Sequence, residues 1–363
     1  MNRYSLDINH LVSVNFKKLL TLVFLSSTIS FSTNVLAQSD LTLSTEQAEL
    51  TANAPVAKTS VGEKVNAGVW LAKLKIALTQ SNFQAGIVTM KADKTKSYNW
   101  IHGVIDAKAD GEKPLEVEGI SPLIGTGVSN LRHNQIVTFI EPNKEAYSIE
   151  SDSIRKFIPP IFYQDINQLS ESYQFVMVSK NQIGGRSAQL IRIESIDDTA
   201  YNYWVWIDVE SALPLRMAFV NKKGEVIEQI LMTHLSVFAE PTEEIIKLGE
   251  HTLPTPPSSL IATHQETNNW NMSWIPNSFS LIKSDRHHLS ITREVSDYYL
   301  YSDGLVEFSI YVQRQLDSFN SPLVLQEGAM SFVMVRSDGF DVTVVGTIPA
   351  ETAYKVASSV KSL

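Results

Sequence analysis

The sequence predicts an α+β protein. A long antiparallel meander curls over a helix, and a linker leads to a small α+β domain of hairpins and one helix. Three observations carry this. Residues 201–220, YNYWVWIDVESALPLRMAFV, read as strand, turn, strand, crowded with β-branched and aromatic residues. Runs of the same kind recur with short polar turns from residue 83 to residue 238. Then residues 239–268 change character, with Pro241, Pro254, Pro256 and Pro257 followed by a polar run, before hairpin signals resume.

The first 37 residues read as a secretory leader. Lys17 and Lys18 precede an apolar run over 19–29, and Val35-Leu36-Ala37 offers small residues for cleavage near Ala37, which predicts export to the periplasm. The other reading of the run is a membrane anchor, for which it is short and carries Ser and Thr. Residues 38–64 have no period and read as a flexible segment. A helix follows over 65–80, with Trp70, Leu71, Leu74, Ala77 and Leu78 as one apolar stripe and Lys73 and Lys75 off it.

Strands are predicted over 83–90, 97–106, 135–141, 146–151, 173–179, 187–194, 201–209, 215–221 and 225–238, with Gly184-Gly185 and Gly224 in turns. So many short-looped strands do not suit a small flat sheet. Between them, residues 153–169, SIRKFIPPIFYQDINQL, are greasy and broken by Pro159-Pro160. Such a segment is either a flap over the sheet or a loop packed on its core.

The domain plan is therefore a leader (1–37), a flexible segment (38–64), a first domain (65–240), a flexible linker (241–268) with a short helix at 243–248, and a second domain (269–363). In the second domain Asp303-Gly304 suits a type I′ turn between strands 295–301 and 306–314. A second hairpin joins 329–336 to 340–346 around Ser337-Asp338-Gly339, and Ile348-Pro349 opens a terminal helix.

Hydrophobic residues make up 44% and charged residues 19%, which marks a folded chain rather than a disordered one. There is no cysteine, so stability rests on core area and not on disulfides. A formal charge of −9 argues against nucleic acid and against docking on anionic lipid by charge alone. No Gly-x-Ser-x-Gly elbow and no His-Glu-x-x-His motif occurs. Gly125-Thr126-Gly127 lacks the third glycine of a nucleotide loop. His287-His288 with Asp285 reads as an exposed polar hairpin before a metal site, since adjacent residues of a strand point opposite ways. The chain thus reads as a binding protein without turnover, cofactor or metal.

Trp204 and Trp206 share one face of their strand, opposite Tyr203 and Val205. They either form core or line a surface that something greasy covers. With Trp100, Phe139, Phe162, Met217 and Phe219 they are the candidates for lining a lipid-binding hollow.

Residues 201–229, with Phe139-Ile140-Glu141-Pro142, IPPIFYQD, Trp274-Ile275-Pro276, LYSDGLVEFSIYV and VTVVGTIPAETAYKVASSV, resemble the RseB/MucB family of periplasmic negative regulators of the envelope-stress sigma factor, sigma-E. The likeness runs in order over nearly all of residues 66–360. It implies a first domain built as a half-open curved sheet over helices, similar to the lipoprotein carrier LolA. It implies a second domain that, with the linker, holds the periplasmic part of the anti-sigma factor RseA and keeps the site-one protease DegS from it. Lipopolysaccharide or mislocalised lipoprotein would then be the lipid that releases the grip. A second copy of the chain is a further expected partner. Tyr299, Tyr301, Asp303, Phe308 and Tyr311, on the first hairpin of the second domain, are the candidates for the anti-sigma contact. One departure stands out. Where the family carries a basic patch, this chain reads GISPLIGTGVSNLRHNQ, with Arg132 and His133 alone. A LolA-like carrier would need the first domain only, so residues 269–363 argue against that alternative. An unrecognised hydrolase is the other class that absent motifs leave open.

Overall fold

The computed structural model describes residues 61–363 apart from 92–93, 108–110, 112, 126, 152–153, 155–157, 164–168, 170–171, 257–268, 289–294, 316–320 and 338. The leader and the segment up to residue 60 lie outside the described residues. Those from 61 onward belong to one compact unit.

Helix α1 (Val61–Gln80) buries Leu71, Leu74, Ala77 and Leu78 of the stripe its spacing predicts, with Trp70 half-buried beside them, and Ala67 besides. It lies on one face of an eleven-stranded antiparallel sheet. The strands are β1 (Asn82–Lys91), β2 (Lys94–Ile105), β3 (Leu115–Pro122), β4 (Ser129–His133), β5 (Ile136–Ile140), β6 (Tyr147–Glu150), β7 (Tyr173–Ile183), β8 (Arg186–Ser195), β9 (Asn202–Asp208), β10 (Pro214–Val220) and β11 (Val226–Phe238). Their order is β6-β5-β4-β3-β2-β1-β11-β10-β9-β8-β7. Two meanders therefore meet where β1 pairs with β11, and β6 and β7 are the open edges.

Two strands escaped the sequence reading. β3 and β4 run through the stretch that ends in GISPLIGTGVSNLRH, whose glycines and proline read as loop. Their pairing depends on strand neighbours, which a single-sequence pattern does not see. The topology also explains the proline-broken segment. The chain leaves the sheet at β6 and re-enters at β7, which is the opposite edge. Ile154, Ile158, Phe162 and Leu169 are buried in the same core as α1, and residues Pro160–Tyr163 form a 3-10 turn. The described part of the segment packs on the core.

Helix α2 (Glu243–Glu250) is the short helix expected at 243–248 within the linker. Thr242 caps it by accepting the Ile245 N–H, and Glu243 and Glu244 sit in its first turn. It packs over β2 and β3 on the face away from α1, where Ile245 and Leu248 lie over Gly103 and Gly119. His133 Nε2 donates to the Leu248 carbonyl at 2.7 Å. The remainder of that linker, 257–268, lies outside the described residues.

The second domain holds a six-stranded sheet ordered β13-β14-β15-β18-β17-β16, from β13 (Ser280–His288), β14 (Val295–Ser302), β15 (Glu307–Arg314), β16 (Leu323–Glu327), β17 (Met330–Ser337) and β18 (Phe340–Gly346). Helix α3 (Ala350–Ser359) buries Ala353, Val356 and Ala357 against it, and β12 (Trp270–Met272) pairs with β19 (Val360–Ser362). The Asp303-Gly304 turn is not the two-residue type I′ loop expected. Gly304 alone has positive φ there, and the Asp303 carboxylate accepts the N–H groups of Leu305 and Val306 at 2.9 Å each, which organises a longer loop.

Candidate functional site

Strand alternation and register sort the first sheet into two faces. Toward α1 point Phe83, Ala85 and Ile87 on β1, Tyr98 and Trp100 on β2, Ile120 on β3, Met217 and Phe219 on β10, Tyr203 and Val205 on β9, Ile191 and Ile193 on β8, and Phe175 on β7. Trp100 is fully buried, edge-on to Phe83, and its indole N–H donates to Glu118 Oε1 at 2.8 Å. Phe162 and Met217 are buried. Phe139, stacked on Tyr147, and Phe219, against Tyr203, are half-buried. These five candidates share the core of the α1 face.

Trp204 and Trp206 do not. They belong to a separate cluster on the opposite face with Leu190, Leu215, Ala218 and Val220. Arg216 stands over Trp206 at 4.5 Å and Arg192 over Trp204 at 5.5 Å. The expected single hollow containing all seven residues is therefore corrected: the tryptophan pair lies across the sheet from Met217 and Phe219. Both faces of β9 are apolar, so alternation separates the two sets without saying which faces the helix.

The α1 face also holds a buried charged network. Arg132 on β4 donates through Nε to Glu118 Oε2 at 2.8 Å and through Nη2 to Glu116 Oε1 at 2.6 Å. His102 Nδ1 donates to the Ser81 carbonyl at 2.7 Å, and its Nε2 lies 3.1 Å from Glu116 Oε1. Burial alone would push the Glu116 carboxyl up, but hydrogen bonds from His102 and Arg132 outweigh it and hold the group at about 2. Burial works against the Arg132 charge, and the attraction of Glu118 and Glu116 holds its guanidinium above the ordinary arginine range. Neither Arg132 nor His133 stands open to an anion: the first is consumed by two carboxylates and the second lies under α2.

One end of the α1 face is closed by the second domain. Register aligns Lys91, Glu228, Phe219, Tyr203, Ile193 and Phe175 as one rung across six strands. Against it come the two turns of the second sheet at Asp303 and Gly328. Tyr173 Oη donates to Asp303 Oδ2 at 2.7 Å, the Ala329 N–H donates to Glu228 Oε2 at 3.2 Å, and Gln326 Nε2 donates to Tyr201 Oη at 3.0 Å. Lys94–Glu327 and Lys222–Glu351 flank the junction. Gly328 has φ +60°, and a Cβ there would meet Glu228 Oε2 at 2.5 Å and the Lys91 stem at 2.6 Å. Burial raises the Asp303 carboxyl above its ordinary value despite three backbone N–H groups and Tyr173, and burial raises Tyr173 and Tyr203 strongly. The Tyr203 hydroxyl is closed off with no hydrogen-bond partner among the described residues.

The partner-contact candidates are placed otherwise than a docking surface requires. Asp303 is spent on the junction. Tyr299, Tyr301 and Phe308 are core of the second domain, with Tyr301 stacked on Phe308, and Tyr311 is buried beside Tyr298 on the other sheet face. Apolar composition marked them, but it marks core as readily as interface. Nothing in the local sequence signals the junction, because its partners lie more than 100 residues apart. Among the described residues no cluster of His, Asp and Glu could hold a metal ion, and the side chains of His287, His288 and Asp285 lie outside them.

Two family models match the chain in order: the MucB/RseB N-terminal domain over residues 66–255 and the MucB/RseB C-terminal domain over 264–361. The sigma-E factor regulatory protein RseB of Salmonella typhimurium is 28% identical over 295 residues, covering 81% of this chain and 90% of the relative. The sigma factor AlgU regulatory protein MucB of Pseudomonas aeruginosa is 25% identical over 305 residues, covering 82% and 92%. Among solved structures, the Pseudomonas aeruginosa MucA/MucB complex aligns with a TM-score of 0.63 at 23% identity, over 82% of this chain and 99% of that one.

Proposed function

The chain belongs to the MucB/RseB family, and on that premise we propose that it is an exported regulator that binds the periplasmic segment of an RseA- or MucA-like anti-sigma factor, shields it from site-one proteolysis and so represses a sigma-E response. The observation that carries the reading is the presence of both family halves, in order, over 66–255 and 264–361. Curated relatives named as sigma-factor regulators, and a solved relative in complex with MucA, support it. No described helix is long and apolar enough to cross a membrane; the leader, cleaved near Ala37 in this reading, lies outside the described residues.

The lipid signal acts through the α1 face. An acyl chain wedged beside Met217 and Phe219 would strain the rung on which the second domain rests, and it can shift the anti-sigma equilibrium only by its preference for one arrangement of that junction. Because Arg132 and His133 are spent internally, the recognised part is the acyl chain and not an anionic headgroup.

Calorimetric titration of the full mature chain with the periplasmic segment of its cognate anti-sigma factor tests the regulator reading. Binding at micromolar concentration or tighter is expected, with protection of the segment from site-one cleavage. Absence of binding at that concentration would remove the reading.

A further inference from the structure

The second face of the first sheet carries a cation that no carboxylate among the described residues balances. Arg216 on β10 is half-buried, with its guanidinium carbon 4.5 Å from the centroid of the Trp206 ring. Its Nε donates to Gln229 Oε1 at 3.0 Å, which fixes the plane of the group and leaves the outer N–H groups unused. Other described arginines that are not fully exposed each meet a carboxylate: Arg132 meets Glu116 and Glu118, Arg186 meets Asp208, Arg192 meets Glu194 and Arg336 meets Asp341. Arg216 meets none among the described residues, and burial lowers its pKa below the ordinary arginine value.

Its surroundings narrow the ligand. Register places Leu231 beside Arg216 on one side and Trp206, then Leu190, on the other, with half-buried Trp204 on the next rung. An anion bound there lies on an apolar and aromatic floor. One planar fork with one uncompensated charge matches a two-oxygen monoanion. A phosphate dianion would call for a second cation, and the neighbouring Arg192 is already held by Glu194. A formal chain charge of −9 further disfavours a polyanion.

We propose that Arg216, stacked on Trp206, is a docking point for the carboxylate of an acidic side chain, flanked by apolar residues, on a polypeptide partner. The site lies across the sheet from the α1 face and does not rest on the family reading.

The full mature chain is titrated with the blocked tripeptide N-acetyl-Phe-Glu-Phe-amide, its Gln counterpart and inorganic phosphate, read by calorimetry and indole fluorescence. The Glu peptide is expected to bind and the Gln peptide to bind about tenfold more weakly, the scale of one charge-assisted bidentate pair. Arg216→Gln should erase that difference while leaving the thermal midpoint near wild type. Should that variant not fold, Arg216→Lys is read in its place: it keeps the charge but lacks the fork, and a severalfold loss for the Glu peptide is expected. The proposal is overturned by no Glu-peptide binding at roughly 10 mM, by equal binding of the two peptides, by unchanged binding in the folded variant read, or by phosphate displacing the peptide at equal concentration.

Discussion

The Tyr173 hydroxyl, on the outermost strand of the eleven-stranded sheet, donates a 2.7 Å hydrogen bond to the Asp303 carboxylate at a turn of the second sheet. The two residues are 130 apart in sequence, and the bond is part-buried at the foot of the α1 face, with Tyr173 itself buried. A hydrogen bond to a charged acceptor contributes roughly 1.5–3 kcal/mol. Tyr173→Phe should therefore lower unfolding free energy in urea by about that amount. In a double-mutant cycle with Asp303→Asn the two changes should be non-additive. Simple additivity would show that the bond does not couple the sheets.

The acid limb of stability should carry the signature of Glu116. Its folded value of about 2 lies below the ordinary 4.5, so its contribution is complete above 4.5 and is lost as pH falls toward 2. The shift corresponds to about 3 kcal/mol. Glu116→Gln should flatten the loss of stability between those values, read from urea midpoints at stepped pH. Asp303, raised by burial, works with the opposite sign: the stability linked to its protonated form is lost as pH rises from its ordinary 3.8 through its raised value.

Arg132→Met should destabilise the first domain by about 3–5 kcal/mol, because Glu118 would be left charged and buried. Arg132→Met with Glu118→Leu should recover much of that loss. In whichever of these variants folds, the balance between anionic and neutral lipid vesicles should stay as in wild type. A selective loss of anionic vesicles would return Arg132 to the ligand contact.

Uptake of a fluorescent fatty acyl probe separates the two faces of the sheet. Met217→Ala and Phe219→Ala should weaken it severalfold, while Trp204→Ala, across the sheet, should leave it near wild type. The reverse pattern would place the lipid on the tryptophan face.

Gly103→Ala tests how α2 is seated. A Cβ at this position would lie 2.5 Å from Ile245 Cγ2 and 2.9 Å from Asn82 Oδ1, so helix and strand must part. A loss of about 1–3 kcal/mol is expected from such overpacking. Hydrogen exchange across residues 243–250 should rise in parallel, and unchanged exchange would mean that the helix is held elsewhere.

Local chemistry settled most of the elements. The α1 stripe, Gly184-Gly185, the alternation of β9 and β10, and the proline-rich break near 254 are written in residues a few positions apart, and so is the family likeness. Side-chain period and turn chemistry act over that range. Contacts between distant strands decided the remainder. Glycines hid β3 and β4 until neighbouring strands paired with them. Trp204 and Trp206 were assigned their face by the docking of α1 on the other side. Arg132 found its carboxylates on β3, and Asp303 its phenol on β7. A linear pattern says that a residue is apolar or charged. Which group it meets depends on strand order and register, and these are set when the whole core closes.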